Sequence, residues 1–193
     1  MTDMTTTKTR CDWCGQDPLY QAYHDNEWGV VCRDDERLFA MLCLEGMQAG
    51  LSWITILKKR AAYYDAFDGF DASKIAQYDD KKVDELMNND GIIRHRLKIQ
   101  AIIANAQAYL KIKENGSFSD HVWGIVAQHQ DKTPLINQPK TTADIPAKTA
   151  ASIALSKQLK KDGFKFVGPT ICYAYMQACG MVNDHVVDCD FKH

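Results

Sequence analysis

Glu45 and Trp53 are the side chains whose types and spacing promise chemistry. Leu38, Leu42, Glu45 and Ala49 recur at spacings of four, three and four, so they share one helix face, and that face is otherwise apolar. A carboxylate placed there should point inward. Desolvating it costs several kcal/mol unless a donor meets it, and no Lys or Arg lies within one helical turn. A bound ligand is the natural donor. Trp53 follows past a break at Gly50, with Ser52 as the N-cap of a new helix, and can face the same cavity. An acceptor-only group beside a flat aromatic ring suits a planar ligand that donates hydrogen bonds and carries positive charge. The competing reading is a carboxylate at a frayed helix end beside a core Trp, and this segment alone does not separate the two.

A second chemical signal lies at the two chain ends. Cys11 and His24 stand near one terminus, and His185 and Cys189, four apart, near the other. Two Cys and two His make a closed tetrahedral zinc shell with no position open for water, which would make the metal structural. Cys14 offers another thiolate at a good spacing from Cys11, so the ligand choice at the N-terminal end stays open. The alternative is that these are unrelated surface groups.

The third signal is the turn from Leu159 to Thr170, with Gly163 and Gly168 at its two ends. A glycine immediately before a helix N-terminus lets backbone N–H groups approach an anion, and the helix dipole adds partial positive charge. Phosphate fits such a turn, and Lys160, Lys161 and Lys165 ring it. A glycine-capped helical hairpin with solvated lysines is the plainer explanation.

Helices must position these groups, because helical periodicity dominates and strand signals are weak. A helix carrying Glu45 is followed by one over Trp53–Phe67, with Ile54, Leu57, Ala61 and Tyr64 on one face. Asp79 caps a short helix through Leu86 and Met87; a long one runs from about Ile93 to Lys111 and ends at Asn115–Gly116. Ser119 or Asp120 caps the next, and residues 130–146, with three prolines, read as a loop. Ala150–Lys161 is helical up to Gly163, and Pro169 opens a last helix that Gly180 closes. The fold reads as all-α. The 193 residues fit one domain, and 46% hydrophobic with 25% charged residues is ordinary for a globular chain. A net charge of -2 excludes a polybasic coat for DNA or membrane but leaves room for a local basic face. The polar first ten residues resemble neither signal peptide nor anchor, no run approaches the roughly 20 apolar residues of a membrane span, and seven scattered cysteines do not make a disulfide framework. A cytoplasmic protein with reduced thiols is expected.

Long motifs carry a resemblance over nearly the whole chain: Asp17 to Gly29, Leu44 to Trp53, Gly91 to Arg96, Gly163 to Gly168 and Val182 to Val187. Together they resemble the DNA-3-methyladenine glycosylase I family of the helix-hairpin-helix superfamily. The resemblance implies an all-α body over residues 11–193 behind a flexible tail at 1–10, a base-flipping pocket, and a structural zinc held by Cys11, His24, His185 and Cys189. It makes Glu45 the catalytic, base-contacting carboxylate, with Tyr20, Tyr23 and Trp53 as aromatic partners. Gln48 and Leu51 would fill the gap left in the duplex, and Lys161, Lys165, Gly168 and Thr170 would hold DNA. Lyase relatives carry a nucleophilic Lys on the second hairpin helix, and many relatives a catalytic Asp after it. Here Pro169–Cys179 has no Lys, and Asn183 takes the Asp position, an absence that marks the 3-methyladenine branch. The implied protein is a monofunctional, monomeric glycosylase that acts on double-stranded alkylated DNA, with free 3-methyladenine as product and no cofactor but zinc. Two other classes compete: a zinc-stabilised DNA-binding module without catalysis, and a zinc hydrolase of small molecules. An inert binder has no use for an inward Glu45, and a zinc hydrolase needs an open metal position.

Overall fold

Aspartate caps start four of the helices. In the computed structural model, which describes residues 8–192, Asp17 accepts from the first turn of α1 (Pro18–Asn26) and Asp34 from that of α2 (Asp35–Gln48). After α3 (Trp53–Ala66), Asp71 and Asp79 do the same for α4 (Ala72–Ile75) and α5 (Asp80–Met87). Each such cap satisfies N–H groups that the helix itself cannot, and is worth about 1 kcal/mol. His95 caps the long α6 (Arg96–Lys113), Ser117 caps α7 (Phe118–Ala127), and Thr149 with Ser152 forms a capping box on α8 (Ala150–Asp162). Among the described helices only α9 (Pro169–Ala178) has a glycine, Gly168, as its N-cap, and so no side-chain cap.

The middle of the molecule is α2, buried along Leu38, Phe39, Leu42, Cys43, Leu44 and Met47 and packed against α3, α6, α7 and α9. Helices α8 and α9 close as a hairpin, and Asn105 of α6 clamps its turn by accepting from Lys165 N at 2.7 Å and donating to Lys165 O at 3.3 Å. The hairpin presses on α2 at Gly46, where a Cβ would sit 3.3 Å from Phe166 Cβ, so glycine is what allows the approach. Strands β1 (Leu135–Ile136) and β2 (Val182–Asn183) pair in parallel, Leu135 opposite Val182, and bind the C-terminal segment to the proline-bearing loop. This two-residue ladder is the only departure from an all-helical body among the described residues.

Several boundaries differ from the sequence reading for local reasons. Ser117, not Ser119 or Asp120, caps α7, because Asp35 reaches across from α2 to accept from Ser117 Oγ, Phe118 N and Ser119 N. Ile93 is bound to Tyr63 Oη through its N–H, which holds the entry extended and delays α6 to Arg96. Helix α3 buries Trp53, Ile56, Leu57 and Tyr63, while Ala61 and Tyr64 are exposed. Its inward face is therefore rotated from the predicted one. Helix α1 had no counterpart among the predicted helices. Of the expected tail at 1–10, residues 1–7 lie outside the described residues. Thr9 exchanges hydrogen bonds with Asp190, and Arg10 forms a bidentate pair with Asp25.

Candidate active site

Helix periodicity puts Glu45 inward, and the structure buries it at 2% exposure at the edge of a cavity of about 320 Å³. Tyr20 and Tyr23 of α1, Gln48 of α2 and Trp53 at the start of α3 share that cavity. Trp13, Trp28, Thr142, Ile145, Ala174 and Gln177 complete its lining. Tyr23 and Trp53 lie 5.4 Å apart, and Trp13 packs edge-on against Tyr20 and Trp28 at 4.9 Å each, so the aromatic wall is continuous. Glu45 Oε2 has no hydrogen-bond partner among the described residues, and neither do Gln48 Oε1 and the indole N–H groups of Trp13 and Trp53. Buried polar atoms are normally satisfied. Two acceptors and two donors around one aromatic cavity therefore describe the complement of a planar ligand that both donates and accepts.

Burial sets the electrostatics. It raises the Glu45 carboxyl from its ordinary 4.5 to about 8. The Tyr20 hydroxyl rises to about 12, first through burial and then through the nearby Glu45, and Tyr23 rises for the same two reasons. A cation brought against Glu45 would reverse this shift by favouring the carboxylate.

One layer behind the aromatic wall, Cys11, His24 and Cys189 bring their ligand atoms within 4.8 Å of one another, all buried. The His185 ring lies 4.8 Å from that of His24 and 4.6 Å from that of Trp28. The far nitrogens are already engaged: His24 Nδ1 with Asp25 Oδ1 at 2.8 Å, and His185 Nδ1 with Asn183 Oδ1 at 2.9 Å. Cys14 stays outside the cluster, its thiol donating to Cys11 O at 3.1 Å.

On the outer side, α2 ends in a type II turn: Ala49 has φ -47° and ψ 116°, and Gly50 has φ +76°, which favours glycine. Leu51 leaves this turn 41% exposed. Lys160, Lys161, Lys165 and Thr170 are exposed on the α8–α9 hairpin, and Gly168 has an ordinary φ of -64° with open space around a would-be Cβ. Nothing inside the protein demands glycine there. Asn183 and Asp184 do not line the cavity. Asp184 is held by Asn137, Tyr173 and Gln177, while Asn183 holds His185.

Sequence reasoning missed Trp13, Trp28, Gln177 and the pair Thr142 and Ile145. Trp13 had a signal, since it sits between two cysteines of a suspected clip. The loop residues had none, because their place depends on how residues 130–146 fold back.

Comparison with known proteins identifies the family. The methyladenine glycosylase family model matches residues 13–193, and the chain belongs to that family. It is 60% identical over 181 residues to DNA-3-methyladenine glycosylase 1 of Escherichia coli, covering 93% of this chain and 95% of the relative. It is 49% identical over 185 residues to DNA-3-methyladenine glycosylase of Haemophilus influenzae, covering 95% and 98%. A crystal structure of a 3-methyladenine DNA glycosylase I superposes with a TM-score of 0.90 at 58% identity, over 94% of this chain and 98% of that one. The Staphylococcus aureus 3-methyladenine DNA glycosylase I, solved to explain 3-methyladenine recognition, does so at 0.89 with 40% identity, over 95% and 96%.

The Glu45 environment predicts a pH effect. Between about pH 4.5 and 8 the folded protein keeps a proton on Glu45 that the unfolded chain has lost, so this group makes stability fall as pH rises through that window. Glu45→Gln removes the titration. Its stability relative to wild type should therefore grow by several kcal/mol from pH 4.5 to 8 in urea melts. Parallel curves for the two proteins would show that the carboxyl is not desolvated.

Proposed function

We propose that the protein excises 3-methyladenine from alkylated double-stranded DNA by flipping the base into the Glu45 cavity and hydrolysing its glycosidic bond. The observation that carries this reading is the buried Glu45 carboxyl, without a hydrogen-bond partner at Oε2 among the described residues, in an aromatic cavity with room for a base. Extrusion costs a few kcal/mol of unstacking, less for a damaged base. N3 methylation leaves adenine positively charged, weakening its pairing and making it a better leaving group than a normal base. Glu45 accepts from the exocyclic amino group and favours the cationic ring, while Trp53 and Tyr23 stack on it at about 1–3 kcal/mol per base. With so good a leaving group, water needs no dedicated Asp, in keeping with Asn183 and with an Asp184 already engaged by three donors. Helix α9 carries no Lys, so the product is free base and an abasic site without Schiff-base chemistry. Gln48 and the exposed Leu51 fill the gap in the duplex. Lys161, Lys165, Gly168 and Thr170, with Lys160 beside them, grip phosphates through charge and the uncapped N-terminus of α9. We read the protein as a cytoplasmic monomer, a reading that a DNA substrate and cysteines left unpaired by disulfides support.

Free 3-methyladenine should appear when the protein meets methylated duplex DNA. Glu45→Gln should fold yet bind the free base about one to two decades more weakly, the worth of a charged hydrogen bond in a dry site. Unaltered base affinity in the folded variant would defeat the pocket assignment.

Zinc fits the donor cluster in kind: two thiols and two imidazoles, with each imidazole oriented from its far nitrogen by Asp25 or Asn183. Cys11, His24, His185 and Cys189 would hold it, and Cys14 would not. Four protein ligands leave the metal a purely structural role, tying both ends of the chain behind the aromatic wall. Metal analysis of Cys189→Ser should show zinc lost and a lower Tm, with zinc retained in Cys14→Ser. Full occupancy in Cys189→Ser would move the site elsewhere.

A further inference from the structure

Lys98 is a buried cation that base recognition does not use. It lies in the first turn of α6 at 5% exposure, and its Nζ donates to Met47 O and Ala49 O at 2.7 Å each. Burying an ammonium on carbonyls rather than a carboxylate is costly, so the carbonyls it serves need explaining.

Those carbonyls end α2. Of the four from Gly46 to Ala49, Gly46 O accepts from Ala49 N and Gln48 O from Leu51 N, both inside the turn. Met47 O and Ala49 O have Lys98 as their donor. The turn that carries Gln48 and Leu51 is thus closed partly by its own backbone and partly by a side chain 51 residues from Met47. A cation at a helix C-terminus also opposes the negative end of the dipole. Glu45 lies one turn deeper, within the body of α2.

We propose that Lys98 is a positioning residue for base extrusion: it locks the Gln48–Leu51 turn into a rigid wedge, so that insertion into the duplex does not have to order the turn first. The proposal rests on the reading of this protein as a base-flipping glycosylase. The base cavity touches the lock only at Gln48, because Glu45 and Tyr23 lie within the bodies of α2 and α1 and Trp53 belongs to α3, which begins after the turn.

Lys98→Met separates the two parts. The variant should bind free 3-methyladenine within about twofold of wild type yet excise it from methylated duplex DNA at least about tenfold more slowly, the scale of one lost charge-assisted hydrogen bond. Amide exchange at Gly50 and Leu51 should quicken while that of the α2 interior is unchanged. Lys98→Gln, which keeps an uncharged N–H donor, should fall between the two and carries the same test if Met at this site prevents folding. Wild-type excision by both variants, or a loss of free-base affinity parallel to the loss of excision, would overturn the proposal. A wild-type protein that releases no base would instead defeat the functional reading, and amide exchange would still decide whether Lys98 orders the turn.

Discussion

A carboxyl group removed from water, with no donor at Oε2 among the described residues, is the constraint on which the rest of the structure depends. A bare carboxylate in such a place is too costly, so the protein holds Glu45 with its pKa raised to about 8, poised between its two forms near neutrality. A cationic, hydrogen-bond-donating ring relieves that strain, and a neutral base relieves less of it. On the proposed reading, selectivity would follow from desolvation: the site would favour the ligand that best repairs its own defect. Damage that puts charge on the base and loosens its glycosidic bond meets both requirements at once, so much of the catalytic demand falls on recognition.

Keeping Glu45 dry requires walls from distant parts of the chain. Helix α2 carries the carboxylate, α3 begins with Trp53, and α1 adds Tyr20 and Tyr23. Trp13 precedes all of them, in a short 3-10 turn that has little core of its own. The Cys11, His24 and Cys189 cluster lies immediately behind, with the His24 ring 5.3 Å from Trp13 and 6.2 Å from Trp28. A metal clip there would act on the aromatic wall rather than on the reacting bond. The Arg10–Asp25–His24 chain extends the same support outward.

Local sequence made some of this legible and distance hid the rest. Glu45 could be read because helical periodicity fixes its face, and the α8–α9 hairpin because Gly163, Gly168 and Pro169 have meaning within a few residues. Aspartates before apolar runs likewise mark helix starts, as Asp79 does. The α7 cap was misplaced because Asp35, 82 residues before Ser117, decides which hydroxyl faces the helix end. The inward face of α3 was misjudged because α1 and α2, not the pattern within α3, determine which side is covered. The Thr142 and Ile145 edge depends on the β1–β2 pairing, for which two residues of strand leave almost no pattern. Lys98 carries no local signal, since its carbonyl partners come from a distant turn.

The central claim is that Glu45 is protonated for lack of a partner and ionised when the cationic base supplies one. Carbon NMR of the glutamate side-chain carboxyl, assigned through Glu45→Gln, reads this directly at neutral pH with and without a hydrolysis-resistant 3-methylated adenine nucleotide, which keeps the positive charge that the released base loses. The account predicts a Glu45 signal of a protonated carboxyl titrating near pH 8 in the protein alone, and of an ionised carboxylate once the base is bound. A Glu45 that titrates near the ordinary glutamate value and does not respond to the base would contradict it.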